Sequence, residues 1–248
     1  ALTGLVFHNT QVLTLTALVL VIGAAQGPLS TAGQSYLITA AGPARLGLGG
    51  ALYFLSGTLG NSIGSFITGL VKDDWAFSEL GSVMMATVGT VVVLGTLLLP
   101  ATQGQPRGLD GKPQRMALWS SYRPLLRQRN VHLLIGLRLS ITTFWGMASL
   151  ILPLLIFRAS GSAATTAFYA SVSLAFAAGG QLLTGLARDR FGRKAPLLVS
   201  ATGIVVSALC LSVSTDSVSL LFVFGTALTT TAWAVSTLVP VLVAEVAT

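Results

Sequence analysis

Apolar residues run along this chain in seven long blocks, separated by short polar breaks, at approximately 11–41, 48–71, 79–99, 132–157, 163–187, 195–213 and 218–245. A bilayer hydrocarbon core of about 30 Å takes roughly 20 helical residues, so each block is long enough to cross one. In lipid a backbone must satisfy its own hydrogen bonds, so each block predicts a helix that reverses only outside the hydrocarbon. Residues 1–8 read as the last turns of a further helix whose start is missing. Short connections make sequence neighbours antiparallel neighbours. The exception is residues 100–131, a polar and basic segment in which Met116, Leu118, Trp119, Tyr122, Leu125 and Leu126 lie among arginines. That mixture suits either an amphipathic helix on the membrane surface or a plain positive tether. The predicted fold class is all-α, a multi-spanning transmembrane helical bundle.

Composition supports this class. Of 248 residues, 53% are hydrophobic and 8% charged, against roughly 25% charged in ordinary soluble domains. The mean hydropathy is +0.81. A formal charge of +7 would suit nucleic acid, but the basic residues sit in short loops between blocks, so no nucleic-acid partner is expected. Instead they report orientation. Arg45, then Arg107, Lys112, Arg115, Arg123, Arg127 and Arg129, then Arg188, Arg190, Arg193 and Lys194 fall on one side; Lys72 and Arg158 fall on the other. The positive-inside rule therefore makes loops 42–47, 100–131 and 188–194 cytoplasmic, next to anionic lipid headgroups. Cys210 is the single cysteine and allows no intrachain disulfide. His8 and His132 lie far apart, so no metal site is expected. An integral membrane enzyme would need a cluster of His, Asp, Glu or Cys facing one surface. No such cluster is present, so neither enzymatic activity nor a cofactor is expected.

The most informative string is Gly185-Leu186-Ala187-Arg188-Asp189-Arg190-Phe191-Gly192-Arg193-Lys194, which joins the fifth and sixth blocks. Gly192 can supply the positive φ that a tight reversal needs. The four cations would hold the turn among headgroups. Asp189 is the odd member, because a positive-inside turn needs no acid. Its form, G-x-x-x-D-R-x-G-R-K, resembles the signature loop of the major facilitator superfamily of secondary transporters, with Gly185, Asp189, Arg190, Gly192, Arg193 and Lys194 matching. Asp189 then has two readings: a local pair with an arginine, or a charge lock. In the second, Asp189 reaches the positive N-terminal end of the second block near residues 47–50 and breaks away during transport. The resemblance covers nearly the whole chain. It implies an incomplete transporter with about seven full spans of twelve. Residues 1–99 would hold the end of helix three and helices four to six, 100–131 the cytoplasmic inter-half loop, and 132–248 helices seven to ten.

Further residues follow from position. Ser56, Gly60, Gly64 and Thr68 recur every four residues and predict a helix-packing ridge; Ser171, Ala175 and Gly179 repeat the idea in the fifth block. The family's antiporter motif would place proline at Ser65 and glycine at Thr68, so drug/proton antiport is not implied. Gln26 and Gly27 match the end of an R-x-x-Q-G motif whose arginine is replaced by Gly23. In the family, helices four, seven and ten line a central cavity, which implies a substrate site of Gln26, Asn61, Phe144, Trp145, Thr231 and Trp233 near mid-membrane. For each, helix packing is the competing reading. Arg138 either snorkels to the headgroups or attracts an anionic solute. Pro28, Pro153 and Pro240 can bend their helices. Asp73, Asp74, Glu79, Asp110, Asp189, Asp216 and Glu245 all lie in loops or at block ends, whereas proton coupling normally needs a buried titratable group. The expected activity is secondary active transport of a small molecule by alternating access, as in efflux of a neutral or amphipathic solute, by a monomer in the plasma (bacterial inner) membrane, with protons as the candidate coupling partner. Open alternatives are a facilitator without proton coupling and a truncated membrane scaffold that transports nothing.

Overall fold

A computed structural model describes residues 5, 6, 8, 11–41, 46–71, 74–98 and 127–247. Among the described residues it contains seven long helices: α1 (Val12–Ala41), α2 (Leu46–Val71), α3 (Phe77–Leu98), α4 (Arg129–Ser160), α5 (Ala163–Phe191), α6 (Lys194–Ser212) and α7 (Val218–Ala247). No strand occurs among the described residues. Residues 100–126 of the central segment, with its candidate surface helix, lie outside them, as does Arg45.

Six of the helices are long and apolar enough to span a bilayer: all except α2. With 26 residues, α2 has ample length. Its glycines and hydroxyls, with Asn61, dilute its apolar character. The multi-pass membrane assignment accounts for the many apolar side chains left uncovered, such as Val12 at 78% and Leu13 at 84% exposed, which would be costly in water.

The turns follow from local chemistry. Between α4 and α5 the chain reverses at Gly161, with φ 64°, where a side chain would be strained. Ser162 then caps α5, its hydroxyl accepting the Thr165 N–H at 3.2 Å. The expected cytoplasmic loop at 188–194 is shorter than its composition suggested. Helix α5 continues through Arg188 and Arg190 to Phe191, and α6 begins at Lys194. Cations in a last turn complement the helix dipole, so they extend α5 rather than break it. Only Gly192 (φ 76°) and Arg193 connect the two helices, and the Gly192 N–H donates to the Arg188 carbonyl at 2.9 Å.

The chain forms two compact units. One comprises residues 1–26 and 75–133, the other 27–74 and 134–248. In the first unit, Glu79 Oε2 accepts the Ala76 N–H at 2.9 Å at the start of α3, and Ser82 Oγ lies 3.4 Å from His8 Nε2.

The second unit holds the larger core. Leu152 and Ile156 of α4, Tyr169 of α5, Leu211 of α6, and Leu221 and Leu228 of α7 form its apolar centre. Helix α7 is its innermost element, with no exposed residue from Phe224 to Val239. It packs against α5, α6 and α2, while α2 and α5 form the most extensive helix pair.

Candidate functional site

The α2–α5 pair brings the signature string to the start of α2. The two helices run antiparallel and approach closely where both carry small residues. A Cβ placed on Gly69 would lie 2.7 Å from Ala167 Cβ, and one on Gly185 would lie 2.5 Å from Ala51 Cβ and 2.6 Å from the Gly47 carbonyl oxygen. Between these points the Ser62 hydroxyl donates to the Ser171 carbonyl at 2.7 Å. Gly47, Ala51, Thr58, Ser62 and Gly69 thus form the face of α2 that meets α5, spaced four and seven apart.

The predicted ridge of Ser56, Gly60, Gly64 and Thr68 is a different row and is exposed. A Cβ on Gly60 or Gly64 would meet nothing within 4 Å. Among the described residues the row that packs against α5 is the one beginning at Gly47. In α5 only Ser171 of the predicted row is buried, whereas Ala175 and Gly179 are exposed.

At the cytoplasm-assigned end of this seam lies Asp189. Its Oδ1 accepts the Gly47 N–H at 3.1 Å, and Oδ2 accepts the Leu48 N–H at 2.9 Å. These are first-turn donors of α2, which have no carbonyl partner within their own helix. The first turn of α2 contains no acid, so Asp189 supplies from α5 the negative charge that a helix start favours. Arg188 Nη1 also bonds Asp189 Oδ1 at 2.8 Å. The two readings of Asp189 therefore describe one geometry: the neighbouring arginine pairs locally and the helix start is capped at long range. Gly47 carries no side chain, and a Cβ there would collide with the Asp189 carboxylate. Arg190 lies over the Phe191 ring, 5.4 Å from its centroid, and Gly192 forms the turn described above. Gly185 permits the close approach, while Arg193 and Lys194 open α6.

The six residues expected at a central site are distributed unevenly. Trp145 of α4 and Trp233 of α7 meet edge to face, with centroids 5.0 Å apart. The Trp233 indole N–H is buried without a partner among the described residues. Phe144 packs against the apolar core. Thr231 is turned elsewhere: a Cβ on Gly203 of α6 would lie 2.5 Å from its methyl carbon, and its hydroxyl donates to the Ala227 carbonyl at 2.9 Å. Residues two apart on a helix point about 200° apart, so Thr231 and Trp233 cannot share a face. Asn61 is exposed on α2. Gln26 is also exposed and belongs to the first unit. Arg138 precedes Trp145 by seven residues, which places it on the same stripe of α4 as Ile141, Trp145, Ala148 and Leu152.

Sequence reasoning missed Thr58, Ser62 and Ala178 as seam residues, and the fully buried Gln181. A period of four and seven through Gly47, Ala51, Thr58, Ser62 and Gly69 carried the signal for the first two. Nothing in the sequence separated Gln181 from an ordinary polar residue. No group of three or more His, Cys, Asp or Glu that could hold a metal occurs among the described residues.

A family model described as Major Facilitator Superfamily matches residues 1–248. No curated protein and no solved structure matches the chain.

Proposed function

The chain belongs to the Major Facilitator Superfamily, a family of membrane transporters, and on that premise we propose that it moves a small neutral or amphipathic molecule across the membrane by alternating access. The observation that carries this reading is the Asp189 carboxylate seated on the start of α2. A side chain at the end of one helix holds the start of a helix 141 residues earlier in sequence. Such a contact can close the cytoplasmic side when made and release it when broken. Arg188 orients the carboxylate, and Gly47 and Gly185 let the two backbones meet.

The Trp145–Trp233 pair is the proposed contact for the solute, with an aromatic surface and one indole donor for an acceptor on the ligand. Direction outward, a bacterial inner-membrane location with the 188–194 turn in the cytoplasm, and action as a monomer complete the reading. The described acids favour a facilitator over proton coupling through this stretch: Asp74 and Asp216 lie between helices, and Glu79, Asp189 and Glu245 lie in terminal turns. The non-transporting scaffold remains the competing outcome of the test.

Asp189→Asn keeps one acceptor oxygen and removes the charge. In the full-length protein, reconstituted in proteoliposomes and assayed with a fluorescent uncharged amphipathic dye, the variant should insert normally. Its flux should fall by about tenfold, since hydrogen bonds to charged groups are worth roughly 1.5–3 kcal/mol. Equal flux in the two proteins would remove the lock from the mechanism, and no flux in either would favour the scaffold.

A further inference from the structure

Gln181 lies on α5 and is completely buried. Neither its amide nitrogen nor its amide oxygen has a partner among the described residues. Its position follows from its neighbours. Ala178 and Gly185, three residues before and four after, lie on the side of α5 that meets α2. Gly180 lies on the side that meets α7, where a Cβ would sit 2.6 Å from Thr230 Cγ2. Because α2 and α7 also pack against each other, the Gln181 amide is enclosed where the three helices join.

Other buried polar residues of these helices solve the same problem differently. Thr58 of α2 donates to the Phe54 carbonyl at 2.9 Å, and Thr237 of α7 to the Trp233 carbonyl at 3.1 Å. A threonine hydroxyl reaches a carbonyl of its own helix four residues back. A glutamine amide, two methylenes farther out and with three or four bonds to make, cannot be satisfied in this way. A buried amide without partners loses its water and gains nothing in return.

Resting on the alternating-access reading, we propose that Gln181 is a wedge that limits the lifetime of the closed seam. With α2, α5 and α7 packed, its amide has no partner among the described residues; when they part, the amide meets water. Asp189 and the small-residue seam favour closure, and Gln181 opposes them from between. A transporter needs such an opposing element, because a seam that closes too well does not cycle. Gln181 here is a conformational residue, not a substrate contact.

The test uses full-length protein in lipid nanodiscs, without solute, in a Cys210→Ala background. Spin labels go on cysteines replacing Leu52 of α2 and Leu186 of α5, which are 51% and 46% exposed. Pulsed dipolar spectroscopy reads the short-distance and long-distance populations. Gln181→Met keeps the length and removes the amide; it should reduce the long-distance population relative to the short one by about tenfold. Gln181→Asn keeps an amide and should leave the ratio within about twofold. An unchanged or larger long-distance population in Gln181→Met would overturn the wedge alone. A single short distance in the parent protein would overturn alternating access and the wedge together. Failure of both Gln181→Met and Gln181→Leu to give folded protein would also overturn it, because an amide without partners should be replaceable by an apolar group of similar size.

Discussion

Two glycines of the same helix bundle have opposite requirements. Gly185 faces Ala51 Cβ and the Gly47 carbonyl at distances no real Cβ tolerates, whereas Gly64 of α2 faces open space. A backbone carbonyl cannot rotate aside as a side chain can, so Gly185→Ala must push α2 and α5 apart. It should cost about 1–3 kcal/mol, the usual range for overpacking. Gly64→Ala adds a methyl without a clash and removes helix-opposing backbone freedom, so it should leave stability unchanged or raise it by up to about 1 kcal/mol. Thermal unfolding of the two variants in the same detergent checks the contrast; equal midpoints would count against the close seam. The signature string made Gly185 legible beforehand. The reason for it was not, because the atoms that forbid a side chain there belong to residues about 135 positions away in sequence, a separation no local pattern records.

At the scale of elements, the seven helices were readable because long apolar blocks advertise themselves, six of them apolar enough to cross a bilayer, and their observed ends fall within a few residues of those blocks. Which face of α2 packs was not readable. That helix carries two rows of small residues, one through Ser56, Gly60, Gly64 and Thr68 and one through Gly47, Ala51, Thr58, Ser62 and Gly69. Both suit close helix approach, and the choice is made by α5, which presents Ala167, Ser171, Ala178 and Gly185. The Ser62–Ser171 contact offers a direct probe, since their hydroxyl oxygens lie 3.4 Å apart. Replacing both with cysteine, in a Cys210→Ala background, should give a disulfide with mild oxidant. The oxidised protein should lose at least nine-tenths of its flux, about tenfold, because alternating access must part the seam, and a reductant should restore it. Full flux in the oxidised protein would show that the seam stays closed throughout the cycle. The candidate solute site was legible only in part. The sequence nominated residues by depth, but depth leaves rotation about the helix axis open, and rotation is what joins Trp145 to Trp233 and turns Thr231 toward α6.

For the whole molecule, the bilayer decides what counts as a surface. Residues such as Leu97 at 75% and Phe191 at 66% exposure would be liabilities in water but are ordinary beside lipid tails or headgroups. Orientation rests on the distribution of cations. A single cysteine replacing Phe191, with Cys210→Ala, should react with a membrane-impermeant maleimide only after inverted vesicles are prepared or cells are opened. Labelling from outside sealed cells would reverse the orientation and with it the assignment of the Asp189 contact to the cytoplasmic side. That contact is written unevenly in the two regions that make it. On α5 it is a specific carboxylate; on α2 it is two peptide amides, which every residue except proline possesses. Position 48 can therefore drift among most amino acids while the grip persists. A comparison of related chains should find an invariant acid facing a glycine at position 47, which has no room for a side chain, and a freely varying position 48, and a search for covarying residue pairs would pass over the contact.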